Sequence, residues 1–113
     1  MQDFKFSYDN ENDDLFIYLD GAKSAGAVEI GDFIFDFDEN ENLAAVQIIN
    51  ASKILSKLAS RIIKIEMINE IKAEVINFRN MAAIRLRIIG NNFDVLTVLT
   101  VPKLKEESPA LGY

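Results

Sequence analysis

Cysteine and histidine are both absent from this 113-residue chain. Without cysteine there can be no disulfide, no thiolate nucleophile and no Cys-based metal site. Without histidine the usual general base near neutral pH is missing, as is the commonest metal ligand. Triads, zincin motifs and His-based nuclease sites are therefore excluded, and any catalysis would rest on carboxylates, Lys, Tyr, Ser or Arg. No catalytic residue and no cofactor is assigned. No apolar run approaches the ~18 residues that cross a bilayer, so no membrane span is expected. The stretch Met1-Gln2-Asp3-Phe4-Lys5 has no basic region followed by an apolar block. No secretory leader is expected there, and the chain reads as cytoplasmic.

What is present is an ordinary soluble composition, 50% apolar and 27% charged, enough for one core in a single domain. That domain is expected over 1–105, with 106–113 as a solvated tail. Charge is uneven: 12 acidic against 4 basic residues up to Ala59, then 6 against 8 from Ser60 onward. Acidic turns would produce this imbalance. So would complementary surfaces that meet within one chain or between two copies. The acidic half disfavours nonspecific nucleic-acid binding by repelling phosphates.

Periodicity supplies the elements. Phe4, Phe6 and Tyr8 alternate with Lys5 and Ser7, which predicts a half-buried strand. The polar cluster Asp9–Asp14 predicts a turn. The apolar run Leu15–Leu19 suits a strand covered on both faces. Asp20 to Gly26 reads as a loop and Ala27–Ile30 as a short strand. Phe33, Phe35 and Phe37 share one face of the next strand, with Ile34 and Asp36 opposite. Asp38 to Asn42 make a turn, and Leu43–Ile49 return as an aliphatic strand. The period then changes. Asn50 or Ser52 can cap a helix, and Ile54, Leu55, Leu58 and Ala59 follow helical spacing. The helix is expected over 51–59. The stretch 60–68 fits either state, with helix favoured. A three-stranded meander follows over 70–102: Lys72–Phe78, then Met81–Ile89 with Ala82, Ile84, Leu86 and Ile88 inward, then Phe93–Val101 after a Gly90-Asn91-Asn92 turn. The pentapeptide at Asn42–Val46 is echoed at Asn80–Ile84. The expected fold class is α+β: antiparallel hairpins, one helix and the meander.

The first half resembles domain-of-unknown-function family 2283. The residues that carry the likeness are Tyr8-Asp9, Glu11, Asp13 or Asp14, Leu15, Ile17 and Leu19, followed by Glu29, Asp36 and Asp38. It ends on Val46, Ile48, Ile49, Ala51, Ser52 and Lys53, and covers about 4–55. The family pattern has Glu where this chain has Gln47, which removes a charge there. The second half resembles archaeal versions with an extra β region. The resemblance implies a compact β-rich fold with a helix, and no established activity.

Two acidic turns draw attention as metal sites. Asp9, Glu11 and Asp13 are spaced like the first ligands of a calcium loop, as are Asp36, Asp38 and Asn40. The loop also needs Gly at its sixth position and Glu at its twelfth. Asp14 and Asp20 occupy those positions in the first case, Glu41 and Gln47 in the second. Glu29, Asp36 and Asp38 could converge across neighbouring strands, and a partly buried Asp36 would need Lys5, Lys53 or an Arg as partner. Arg79, Arg85 and Arg87 form a small basic patch on the meander. The expected function is a non-enzymatic protein-interaction module, working as a homodimer because its apolar strands need more cover than one helix gives. The alternative is an acidic protein that binds a divalent metal or small ligand through its turns.

Overall fold

A computed structural model of the chain describes residues 1–102; the expected tail at 106–113 lies outside the described residues. The strands are β1 (Gln2–Asp9), β2 (Asp14–Tyr18), β3 (Gly26–Ile30), β4 (Phe33–Phe37) and β5 (Leu43–Ile48). The helix α1 (Ala51–Ala59) and a 3-10 turn (Ile65–Met67) follow, then β6 (Ile68–Asn77), β7 (Met81–Gly90) and β8 (Asp94–Pro102). All eight strands join one antiparallel sheet in the order β3-β4-β5-β2-β1-β6-β7-β8. The sheet curls into a nearly closed barrel, with strands making up 57% of the structure.

This corrects the α+β expectation. The meander does not form a separate unit beside a helix, because β1 divides its length between two partners. Lys5–Asp9 pairs with β2, while Gln2–Phe4 pairs with β6. One strand thereby fuses the two halves into a single sheet. Bulges between Asp36 and Phe37 in the β4–β5 ladder and between Ile68 and Glu70 in the β6–β7 ladder add bend and twist, which helps a sheet to curl. The nine-residue α1 packs against the inner face through Ala51 and Leu55.

The core is the inner face of this sheet. Phe4, Leu15, Ile17, Phe33, Phe35, Val46 and Ile48 come from the first half, and Ile71, Ile84, Leu86 and Ile88 from the second. The three phenylalanines of β4 behave as the alternation implies: Phe33 and Phe35 are buried and Phe37 is partly so. Leu15–Leu19 does not. Leu15 and Ile17 are buried, but Phe16 is exposed and stacks on Tyr18 with ring centroids 5.2 Å apart. Only one face of β2 is covered by the core; on the other, Phe16 is open to solvent beside Tyr18.

Residues 60–68 also depart from the favoured helix. Ser60 takes a left-handed conformation, φ 55°. The N–H groups of Ser60 and Arg61 turn back to the carbonyls of Lys57 and Ser56, satisfying acceptors that a helix end leaves open. The Ser56 hydroxyl oxygen then accepts the N–H of Ile63 at 2.8 Å. Ile62, which prolonged the apolar period, points to solvent. Ile63 and Ile65 enter the core.

The β7–β8 turn rests on Gly90, whose N–H donates to the Phe93 carbonyl at 2.8 Å. A Cβ on Gly90 would strike the Phe93 ring and lie 2.6 Å from the Met67 carbonyl oxygen. Gly26 has nothing within 4 Å of the same position. Gly90→Ala should therefore destabilise the fold by about 1–3 kcal/mol in urea melts through overpacking. Gly26→Ala should change it by less than about 0.5 kcal/mol. Equal effects would contradict the packing at Gly90.

Candidate functional site

Four of the residues that carry the family likeness, Tyr8, Asp13, Ala51 and Ser52, meet at the turn between β1 and β2. Asp13 holds a left-handed backbone there, φ 55°, a conformation Asp tolerates better than most residues. This aims its carboxylate at the start of α1. The Tyr8 hydroxyl donates to Asp13 Oδ1 at 2.5 Å. The Ser52 N–H donates to Oδ1 at 3.0 Å, and the Ser52 hydroxyl to Oδ2 at 2.7 Å. The Asp13 carbonyl also accepts the Ala51 N–H at 2.8 Å. Asp13 thus caps a helix that begins 38 residues further along the chain. Asn50, one of the two expected caps, makes no side-chain cap bond, and Ser52 donates to the cap instead of serving as one.

Electrostatics follow from this knot. Burial pushes the Asp13 carboxyl up, but the hydrogen bonds from Tyr8, the Ser52 side chain and the Ser52 backbone outweigh it and leave the pKa below 3.8. The Tyr8 hydroxyl is pushed up to about 12, chiefly by its bond to Asp13, with burial and the neighbouring carboxylates adding to the effect. An anionic acceptor and a retained phenolic proton stabilise each other.

The other acidic candidates are spread out. Asp9 accepts from the Asn12 side chain and from the backbone N–H groups of Glu11 and Asn12. Asp38 does the same with Asn40 and Asn42. The Asn42 backbone bond leads in holding the Asp38 carboxyl below its ordinary value, and the Asn12 side chain does so for Asp9. The alternating acidic spacing therefore serves two turns that bond their own backbones. Asp36 lies on the outer face of β4, opposite Ala27 and Ala45. It takes the Ser24 hydroxyl at 3.2 Å in place of the basic partners considered above. Glu29 is on β3 across from Ile34, and Glu11 is exposed in the first turn. Among the described residues, no three acidic side chains form a group that could hold a metal ion.

The basic patch is internally neutralised in part. Arg85 pairs with Glu74 at 2.5 Å, and Arg87 grips Asp94 through two bonds of 2.9 and 2.6 Å. Lys72 bridges Asp3 and Glu70. Beyond this charged ladder comes β8, the last strand of the sheet. Across its exposed face, Leu96 pairs with Arg87 and Val98 with Arg85. These two apolar residues are 50% and 54% exposed, and Val95–Val101 contains no charge. At the Pro102 end of β8 the two sheet edges, β3 and β8, flank a cavity of about 390 Å³. Val28, Phe37, Ala82 and Val101 line it, with Asp38, Glu39 and Glu41 among its other walls.

The Asp13 knot has a stability signature. Asp13→Ala should cost about 1–3 kcal/mol at neutral pH, by removing a helix cap and leaving Tyr8 without its acceptor. A carboxyl whose folded pKa is below the unfolded 3.8 stabilises fully above about pH 5 and loses that contribution as pH falls through the folded value. A phenol raised from 10.0 to about 12 stabilises below the lower value and loses its contribution as pH rises between the two. Urea melts across pH should show the acid limb flattened in Asp13→Asn and the alkaline limb flattened in Tyr8→Phe. Unchanged limbs would exclude this coupling.

Comparison with known proteins fits the placement of these residues. Residues 5–52 match the family described as protein of unknown function (DUF2283). An uncharacterized protein of Methanocaldococcus jannaschii is 38% identical over 76 residues, covering 64% of this chain and 66% of that protein. A Methanosarcina mazei protein named "Putative hypoxanthine phosphoribosyltransferase" is 33% identical over 48 residues, 42% of this chain and 39% of its own length. The chain thus spans just under two thirds of the first relative and well under half of the second. No solved structure matches. Over the segment that contains Tyr8, Asp13, Ala51 and Ser52, this chain therefore resembles the DUF2283 family.

Proposed function

We propose that the chain is a non-enzymatic interaction module that works in the cytoplasm as a two-fold homodimer joined through β8. The observation that carries this reading is the edge of β8. The strand is nine residues long, and no described strand pairs with its outer edge. An open edge offers a row of backbone donors and acceptors to another chain, and proteins that avoid such pairing place charge, proline or a bulge in the strand. β8 has none of these between Val95 and Val101, and its exposed face carries Leu96 and Val98. The opposite edge, β3, is five residues long and contains Gly26 and Glu29, so it is the weaker template.

A second copy is the partner that suits this edge. Antiparallel pairing of two identical strands obeys a two-fold axis, so the same patch serves both sides. Pairing β8 with its own copy would bring Leu96 and Val98 beside their equivalents while the arginine–carboxylate pairs remain at the rim. The lack of histidine and cysteine supports the non-enzymatic part of the reading.

Light scattering should give the mass of two chains. Leu96→Lys combined with Val98→Lys should give the mass of one, with the circular dichroism spectrum preserved, because both side chains already face solvent. A single-chain mass for the unaltered protein would sink the proposal. So would a dimer that survives both lysines.

A further inference from the structure

We infer that the cavity between β3 and β8 is a binding site for a small amphipathic amine, an apolar chain that ends in one ammonium group. The strand count explains why a site exists there. Neighbouring strands are antiparallel throughout an eight-stranded sheet, so β3 and β8 run in opposite directions and could have paired directly to close the barrel. They do not pair, and the gap leads to the inner face at the barrel mouth. Val28 stands opposite the buried Phe35 and Gly26 opposite Phe37. On the other side of the gap, Ala82 of β7 pairs with Val101 of β8. The mouth has room beside Gly26, where an added Cβ would meet nothing within 4 Å.

The chemistry of the walls selects the ligand. The cavity, at about 390 Å³, is within the ordinary range for small-molecule sites. Its inner part is apolar and would gain from burying a hydrocarbon chain. The turn between β4 and β5 contributes Asp38, Glu39 and Glu41, and no basic residue is among its described lining residues. Asp38 is fixed in place by the backbone N–H groups of Asn40 and Asn42 at 2.8 Å. A cationic head at this rim and an apolar tail inside match both parts, whereas an anion would meet the carboxylates of Asp38 and Glu39. The site is at the Pro102 end of β8 and shares Val101 with the proposed dimer strand, whereas Leu96 and Val98 do not line it.

The test is a titration of the full chain with octylamine, octanol and octanoate at neutral pH, read by amide NMR shifts. Octylamine should bind about ten-fold more tightly than octanol, the equivalent of one charge-assisted contact of about 1.4 kcal/mol, and octanoate should not bind. Shifts should centre on Val28, Phe37, Ala82 and Val101. Glu39→Lys, in an exposed turn, should weaken octylamine towards the level of octanol. Gly26→Leu, which fills the mouth, should abolish binding of both. Equal binding of all three probes would overturn the assignment, as would shifts centred on Leu96 and Val98. A lysine-containing apolar peptide that binds more tightly than octylamine would overturn the choice of a small ligand.

Discussion

Three donors on one carboxylate hold the first half of this protein together. Asp13 is in a turn between two strands, yet its acceptors are filled by Tyr8 from the strand before it and Ser52 from a distant helix. Strand, turn and helix are thereby fixed in one geometry. The helix needs such help. At nine residues it is shorter than the ~12–15 at which an isolated helix becomes even marginal in water. With its start anchored to the β1–β2 turn, Ala51 and Leu55 are brought onto the sheet where Leu15, Ile17 and Val46 are already packed. A family pattern that begins with Tyr and Asp and ends with Ala-Ser has a physical basis here, because these residues touch.

The barrel is a second consequence of shared partners. β1 has two ladders, one on each edge and at different parts of its length. A hairpin-rich sequence could have formed two stacked sheets. The division of β1 makes that arrangement unnecessary, since the meander extends the same sheet and brings Ile71, Ile84 and Leu86 round to face Phe35 and Val46. The helix packs against the inner face of that sheet through Ala51 and Leu55 and is not a layer of its own. That is why helix, strand and meander were each legible while the class they make together was not.

Local signals were read well from the sequence where a local cause existed. The helix over Ala51–Ala59 follows from the change of period at Asn50, and the inward set Ala82, Ile84, Leu86 and Ile88 from strict alternation; both stand in the structure with those residues. The two segments that echo each other, at Asn42 and Asn80, each lead into a strand, β5 and β7. Other features depended on contacts without a local signature. Nothing near Asn50 announces that its helix is capped by Asp13. Ile62 is apolar and continues the helical period, but the left-handed Ser60 redirects the chain and leaves it in water. The aspartates spaced as calcium ligands have the same spacing that lets a side chain accept its own turn's N–H groups, so spacing could not separate the two roles. The apolar cavity was invisible for a related reason: it is made by strands that are first and last in the sheet, 3 and 8, and far apart in sequence.

The two ladders of β1 also set an order on assembly. Its Lys5–Asp9 segment can find β2 within the first twenty residues, but Gln2–Phe4 must wait for β6, whose pairing residues are Ile71–Ala73. Pairing across such a separation carries a large loop-closure cost and is slow compared with hairpin formation. As the chain leaves the ribosome, the family-like half would be complete in sequence while one edge of β1 and the apolar ring of Phe4 still lacked cover. Until β6 has emerged, that edge is open to other chains. The vulnerable moment in this protein's life is therefore its synthesis, at a place that the finished barrel no longer exposes.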